Sequence, residues 1–153
     1  MKIDPKTFCA APWFHIRNMN DGSFRACCEI DPASSLYKGD SEYNLREHSI
    51  EQWRNSGYNQ YLKQHLTQGQ RLEECRRCWS KEDSGHRSLR QIINSTVTKN
   101  ASDLQQTWLR SYFNRKVDWV SDLLLSADVK ISNLCNFACA MCNPMDSSQI
   151  YTV

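Results

Sequence analysis

Eight cysteines in a chain of 153 residues, gathered into three groups, constrain this sequence more than any other feature. Cys9 stands with Cys27 and Cys28, Cys75 with Cys78, and Cys135 with Cys139 and Cys142. The N-terminal stretch MKIDPKTFCAAPWF has no continuous apolar run of the kind an export signal needs, so a reducing, cytoplasmic setting is expected. There, clustered thiols read as metal-binding or catalytic groups rather than as disulfides. A disulfide framework would also put turn-rich sequence between its cysteines, and these spacers read as helical. The length suits about one to one and a half domains and excludes a complete (β/α)₈ barrel of roughly 250 residues. With 19 Lys and Arg against 17 Asp and Glu, the charge carries no clear footprint for nucleic acid. No apolar run approaches the ~18 residues of a membrane span.

The third group reads C-x3-C-x2-C. A helix with cysteines at i, i+4 and i+7 would give the same string with the thiols buried as small hydrophobes. The flanks argue otherwise. Residues 127–132 alternate apolar and polar, so a strand is expected with Ala127, Val129 and Ile131 on one face. Asn133 then breaks the strand, and Pro144 follows the last cysteine. The three thiols are therefore expected on a loop beyond the C-terminal end of a strand, where α/β barrels carry their chemistry. Three soft ligands do not close a structural zinc site. They suit a four-iron cluster with one iron left open.

At these residues the sequence resembles the radical S-adenosylmethionine (SAM) superfamily, whose signature is this cysteine spacing within a string like SNLCNFACAMCNP. The resemblance implies a [4Fe–4S] cluster on Cys135, Cys139 and Cys142 whose fourth iron is chelated by SAM. It also implies reductive cleavage of SAM to a 5′-deoxyadenosyl radical, with the electron coming from a donor such as flavodoxin or ferredoxin. Met141 occupies the place where the family usually has an aromatic residue, and its backbone is implied to lie near the adenine.

The first two groups read C-x12-G-x4-C followed by C-x2-C. Asn20-Asp21-Gly22 is a hairpin turn signal, and a hairpin would bring Cys9 and Cys27 within reach of each other. By ligand count, four thiolates suit either Zn²⁺ or [4Fe–4S]. The pattern resembles the twitch domain, a shorter relative of the SPASM extension of radical SAM enzymes. That resemblance implies an auxiliary [4Fe–4S] cluster on Cys9, Cys27, Cys75 and Cys78. Between them, residues 49–69 are expected to be helical, with a Ser49/Gln52 capping box, an apolar face of Ile50, Trp53, Tyr58, Tyr61, Leu62 and Leu66, and Gly69 as the stop. Cys28 is expected to point away from the site.

The remaining sequence is plainer. Ser102 with Gln105, then Leu104, Trp108, Leu109, Tyr112 and Phe113, indicate a helix within a connector at 84–126. Arg71, Arg76, Arg77, Lys81, Arg87 and Arg90 crowd the C-x2-C pair. Such a run is ordinarily a solvated face, although cations beside a negatively charged cluster would also tune it. His15, His48, His65 and His86 have no metal-pair spacing. The expected fold class is α+β: a hairpin and helices over 1–83, the helical connector over 84–126, and over 127–153 the first strand, cluster loop and first helix start of a truncated α/β partial TIM barrel. The expected function is that of the N-terminal part of a radical SAM enzyme, inactive as this chain alone. Relatives with this extension act on peptides, proteins and small polyols; the resemblance implies a substrate of that range, such as a peptide or protein, and the sequence does not choose among them. The competing expectation is a non-catalytic zinc-binding interaction module built on Cys9, Cys27, Cys75 and Cys78.

Overall fold

The computed structural model describes residues 6–30, 43–100 and 126–151, except 136, 138, 141, 143 and 145. Met141 and the helix expected around Ser102–Phe113 lie outside the described residues. Pro12 starts the short helix α1 (Ala11–Phe14), where its missing N–H is not needed. The strands β1 (His15–Asn18) and β2 (Phe24–Arg25) form the expected antiparallel hairpin. Its turn is closed by the Gly22 N–H donating to the Met19 carbonyl at 2.8 Å and the Met19 N–H donating to the Ser23 carbonyl at 2.9 Å. Gly22 sits at φ +86°, which a side chain would strain. The Asp21 carboxylate accepts from the Ser23 N–H and hydroxyl and so holds the turn.

The helical segment expected over 49–69 is two helices, α2 (Ile50–Arg54) and α3 (Gly57–Thr67). The capping box forms: Gln52 N–H donates to the Ser49 hydroxyl, and Ser49 N–H to the Gln52 side-chain oxygen. The break falls at Asn55-Ser56 because Ser56 is itself a cap, extended in backbone, with its hydroxyl accepting the Asn59 N–H at 3.1 Å. Gly69, at φ +88°, ends α3 as expected, and Gln70 N–H reaches back to the His65 carbonyl. A 3₁₀ turn (Glu73–Cys75) leads into α4 (Arg76–Asp83), followed by α5 (Leu89–Asn100). The last strand, β3 (Ser126–Asp128), pairs parallel to β1, giving a sheet of order β2-β1-β3.

The class is thus α+β, with a small three-stranded sheet and several helices. The main core gathers Phe24, Trp53, Leu62, Leu66 and Trp79 between hairpin and helices, with the Phe24 and Trp53 ring centroids 5.9 Å apart. A second cluster packs Trp13 and Phe14 of α1 against Val97 of α5. Of the expected apolar face, Trp53, Tyr58, Leu62 and Leu66 are buried, while Ile50 is exposed and Tyr61 half-buried. β3 is shorter than the strand expected over 127–132, and Val129 and Ile131 are 63% and 92% exposed. The ladder ends there because β1 itself ends at Asn18 and offers no further backbone partner. No helix among the described residues is long and apolar enough to cross a membrane.

Among the described residues one ion pair is buried deeply enough to matter to stability. Arg90 donates to both Glu82 oxygens, at 2.9 and 2.5 Å, with side chains 5% and 10% exposed, and Ser88 donates to the same carboxylate. Burial acts to raise the Glu82 carboxyl, but the hydrogen bonds from Arg90 and Ser88 outweigh it and hold the group below its ordinary 4.5. A depressed carboxyl contributes stability above its unfolded value, and that contribution is lost as pH falls through the folded one. Glu82→Gln is therefore expected to cost about 3 kcal/mol in urea unfolding at pH 7, since it leaves Arg90 buried and uncompensated. The gap from wild type should narrow below pH 4.5; a gap unchanged down to pH 3 would refute this account.

Candidate metal centre

Cys9 lies on a segment with little regular structure, yet it is 9% exposed. Hydrogen bonds to the helices hold that segment in place. The Thr7 hydroxyl donates to the Leu66 carbonyl, and Arg90 and Asn94 of α5 both donate to the Phe8 carbonyl, at 2.7 and 2.8 Å. The Asn94 side-chain oxygen accepts the Ala10 N–H at 2.8 Å. Asn59, fully buried, donates to the Pro12 carbonyl, and Arg54 to that of Trp13. Cys27 stands two residues after β2, so the hairpin returns it toward the end from which Cys9 departs. Cys75 and Cys78 flank the first turn of α4, which is oriented by Trp79: its indole N–H donates to the Leu72 carbonyl at 2.9 Å.

The four thiols come together. Each of Cys9, Cys27, Cys75 and Cys78 is close enough to the other three that charge on one would disfavour charge on the rest. Three of the sulfurs accept backbone N–H hydrogen bonds: Cys9 from Ala11, Cys27 from Glu29, and Cys78 from Arg90. Such bonds favour the thiolate and are the kind that support thiolate ligands of metals. Burial opposes them and wins, pushing Cys9 up to about 12 and raising Cys27, Cys75 and Cys78 as well. Without a positive centre among them the four sulfurs stay protonated, so loading a metal here must expel protons. Cys28 is exposed, in keeping with its expected orientation away from the group.

The donor chemistry suits a metal. Among the described residues no three His, Cys, Asp or Glu side chains gather as one ion's ligands do. Around one zinc, with Zn–S near 2.3 Å, neighbouring sulfurs stand only about 3.8 Å apart. An iron–sulfur cube places each thiolate on a different iron, and so takes a wider set.

The other three cysteines lie at the opposite end of the sheet. Because β3 runs parallel to β1, the chain leaves β3 beside the hairpin turn, whereas Cys9 and Cys27 lie at the hairpin's open end. Cys135 and Cys142 are half-buried and Cys139 is exposed, in a loop closed at its base by Ser148 N–H donating to the Asn133 carbonyl at 2.8 Å. The Phe137 N–H donates to the Cys135 sulfur at 3.4 Å, the same i+2 arrangement as at Cys9 and Cys27. Ser147, fully buried, donates to the Phe137 carbonyl.

The expected cationic surround is largely paired off. Arg71 bonds Asp83, Arg76 meets Glu73, and Lys81 bonds Glu29. Only Arg90 among them is buried, and its charge favours the Cys9 thiolate. Sequence reading missed Glu74. It is fully buried beside Cys75, and neither carboxylate oxygen has a hydrogen-bond partner among the described residues. No signal in the sequence marks it, since a Glu-Glu-Cys string reads as a solvated helix start. An uncompensated buried carboxylate is costly. Glu74→Gln is expected to stabilise the metal-free chain by at least about 1 kcal/mol, read by thermal unfolding in chelator. A lower melting temperature would mean that the carboxylate is compensated.

Comparison with protein-family models, with curated proteins and with solved structures gives no match for this chain.

Proposed function

We propose that this chain is the N-terminal part of a radical SAM enzyme, with an auxiliary iron–sulfur site at Cys9, Cys27, Cys75 and Cys78. The observation that carries the reading is the convergence of these four thiols, drawn from three separate stretches of chain. They are the four that the twitch-like pattern nominates, whereas Cys28, which neighbours Cys27, is exposed. By ligand count four thiolates suit a cube as well as zinc, and the twitch-like pattern is what favours the cube. The loop of Cys135, Cys139 and Cys142 would hold the SAM-binding cluster, and β3 would be the first strand of a partial TIM barrel. When bound there, that cluster supplies the electron that cleaves SAM, delivered to it by a flavodoxin- or ferredoxin-like donor. This chain's own contribution is to bury and orient the auxiliary site's ligands, with the N–H groups of Ala11, Glu29 and Arg90 directed at three of the sulfurs. The divisions at 83 and 126, the cytoplasmic setting and a peptide or protein substrate belong to the same proposal.

With four thiolates on four irons, no iron of the auxiliary site is left open to substrate, so its role is support, electron transfer or both. Anaerobic reconstitution with iron and sulfide is expected to give a brown chain with about eight irons if both sites fill, four of them lost in Cys75→Ala. Cys75→Ala should also lower the melting temperature of the reconstituted protein, because metal binding contributes to folding. A colourless chain holding one zinc per molecule would support the zinc-binding interaction module instead. In that case Cys135, Cys139 and Cys142 would have no ligand role.

A further inference from the structure

β3 carries almost no apolar anchor. Ser126 and Ala127 are exposed and Asp128 is half-buried, so the strand contributes little to the core. Polar ties hold it to β1 instead. The three rungs of the parallel ladder run from His15–Ser126 to Arg17–Asp128. His15 Nδ1 pairs with the Ser126 hydroxyl at 2.8 Å, but in an exposed position. Arg17 bonds Asp128 at 3.0 Å, and the carboxylate side chain is 41% exposed, so water competes for it. The last tie is different. Asn18, 7% exposed, donates through Nδ2 to the Lys130 carbonyl at 2.6 Å, while its Oδ1 accepts the Lys130 N–H at 3.2 Å. One side-chain amide thus takes the place of a further backbone rung where β1 runs out. Lys130 in turn pairs with Asp146, on the far side of the three-cysteine loop and two residues before Ser148, which closes its base.

We infer that Asn18 is a positioning residue for the loop that carries Cys135, Cys139 and Cys142. It fastens the loop's entry to the hairpin whose arms lead back to Cys9 and Cys27, so the two cysteine groups are held at opposite ends of one sheet. A part-buried two-way hydrogen bond from a buried amide is worth more than the exposed ties beside it, because water competes less well for Asn18. The significance for chemistry at that loop rests on the function proposed above; the clasp itself does not.

The test reads thiol protection in the metal-free chain, with iodoacetamide as the probe and mass spectrometry resolving each cysteine. Cys28, exposed and outside the loop, serves as the internal reference. In Asn18→Ala, alkylation of Cys135 and Cys142 is expected to speed up about fivefold or more relative to wild type. The rates at Cys28, Cys9, Cys27, Cys75 and Cys78 should stay as they were. Unchanged rates at Cys135 and Cys142 would overturn the inference. So would an equal acceleration at Cys9 and Cys75, since that would mark general loosening of the fold. Iron uptake separates the two proposals: a wild-type chain that takes up no iron defeats the functional reading while leaving the protection result to stand or fall alone.

Discussion

Arg90 is the group on which the candidate centre most depends. Its guanidinium is buried, paired with Glu82, and lies 4.9 Å from the Trp79 ring centroid, while it also donates to the Phe8 carbonyl one residue before Cys9. Its own backbone N–H donates to the Cys78 sulfur. A single residue of α5 thus ties the helix bearing Cys78 to the loose segment bearing Cys9. A buried guanidinium is tolerated only with its charge matched and its donors used, and both conditions force the surrounding elements into register. Lysine would not substitute, because it lacks the planar fork that meets Glu82 through two nitrogens and Phe8 through a third.

The segment before α1 illustrates a second constraint. Its backbone groups have no ladder or helix to satisfy them, and they are buried, so side chains must supply partners. Arg90 and Asn94 meet that demand at Phe8 and Ala10, while Arg54 and Asn59 bond the Trp13 and Pro12 carbonyls of α1. The cost of leaving such groups unbonded is what makes Cys9 a fixed point rather than a residue on a wandering terminus. The same logic recurs at Asn18, where a side-chain amide completes the edge of a strand that has run out of backbone.

The thiols pose the opposite demand. Burial makes their charged forms costly, yet backbone N–H groups point at three of them, an arrangement useful only once a sulfur carries charge. With the sulfurs protonated the arrangement is neutral, and a positive centre placed among them would favour the thiolates instead. Glu74 sharpens the point, since a fully buried carboxylate with no hydrogen-bond partner among the described residues adds to the negative potential beside Cys75. The four raised thiols differ in this from the surface pairs Arg71–Asp83 and Arg76–Glu73, which water screens.

Local chemistry made much of this legible in advance. The Asn20-Asp21-Gly22 turn, the Ser49/Gln52 capping box, the Gly69 stop and the outward Cys28 each follow from residues a few positions apart, where backbone sterics and short hydrogen bonds decide the outcome. The cysteine spacing likewise nominated the four thiols that converge, because a hairpin of that length must return Cys27 to Cys9. What sequence left undecided depends on partners far along the chain. Ser56 could have continued a helix or capped one. Val129 and Ile131 alternate as a strand should, but strand length is set by where β1 ends. Which arginine is buried, and that Glu74 is, follow from how α4 and α5 pack on the N-terminal segment. Residue type alone fixes neither, since a charged side chain looks solvated until the fold surrounds it.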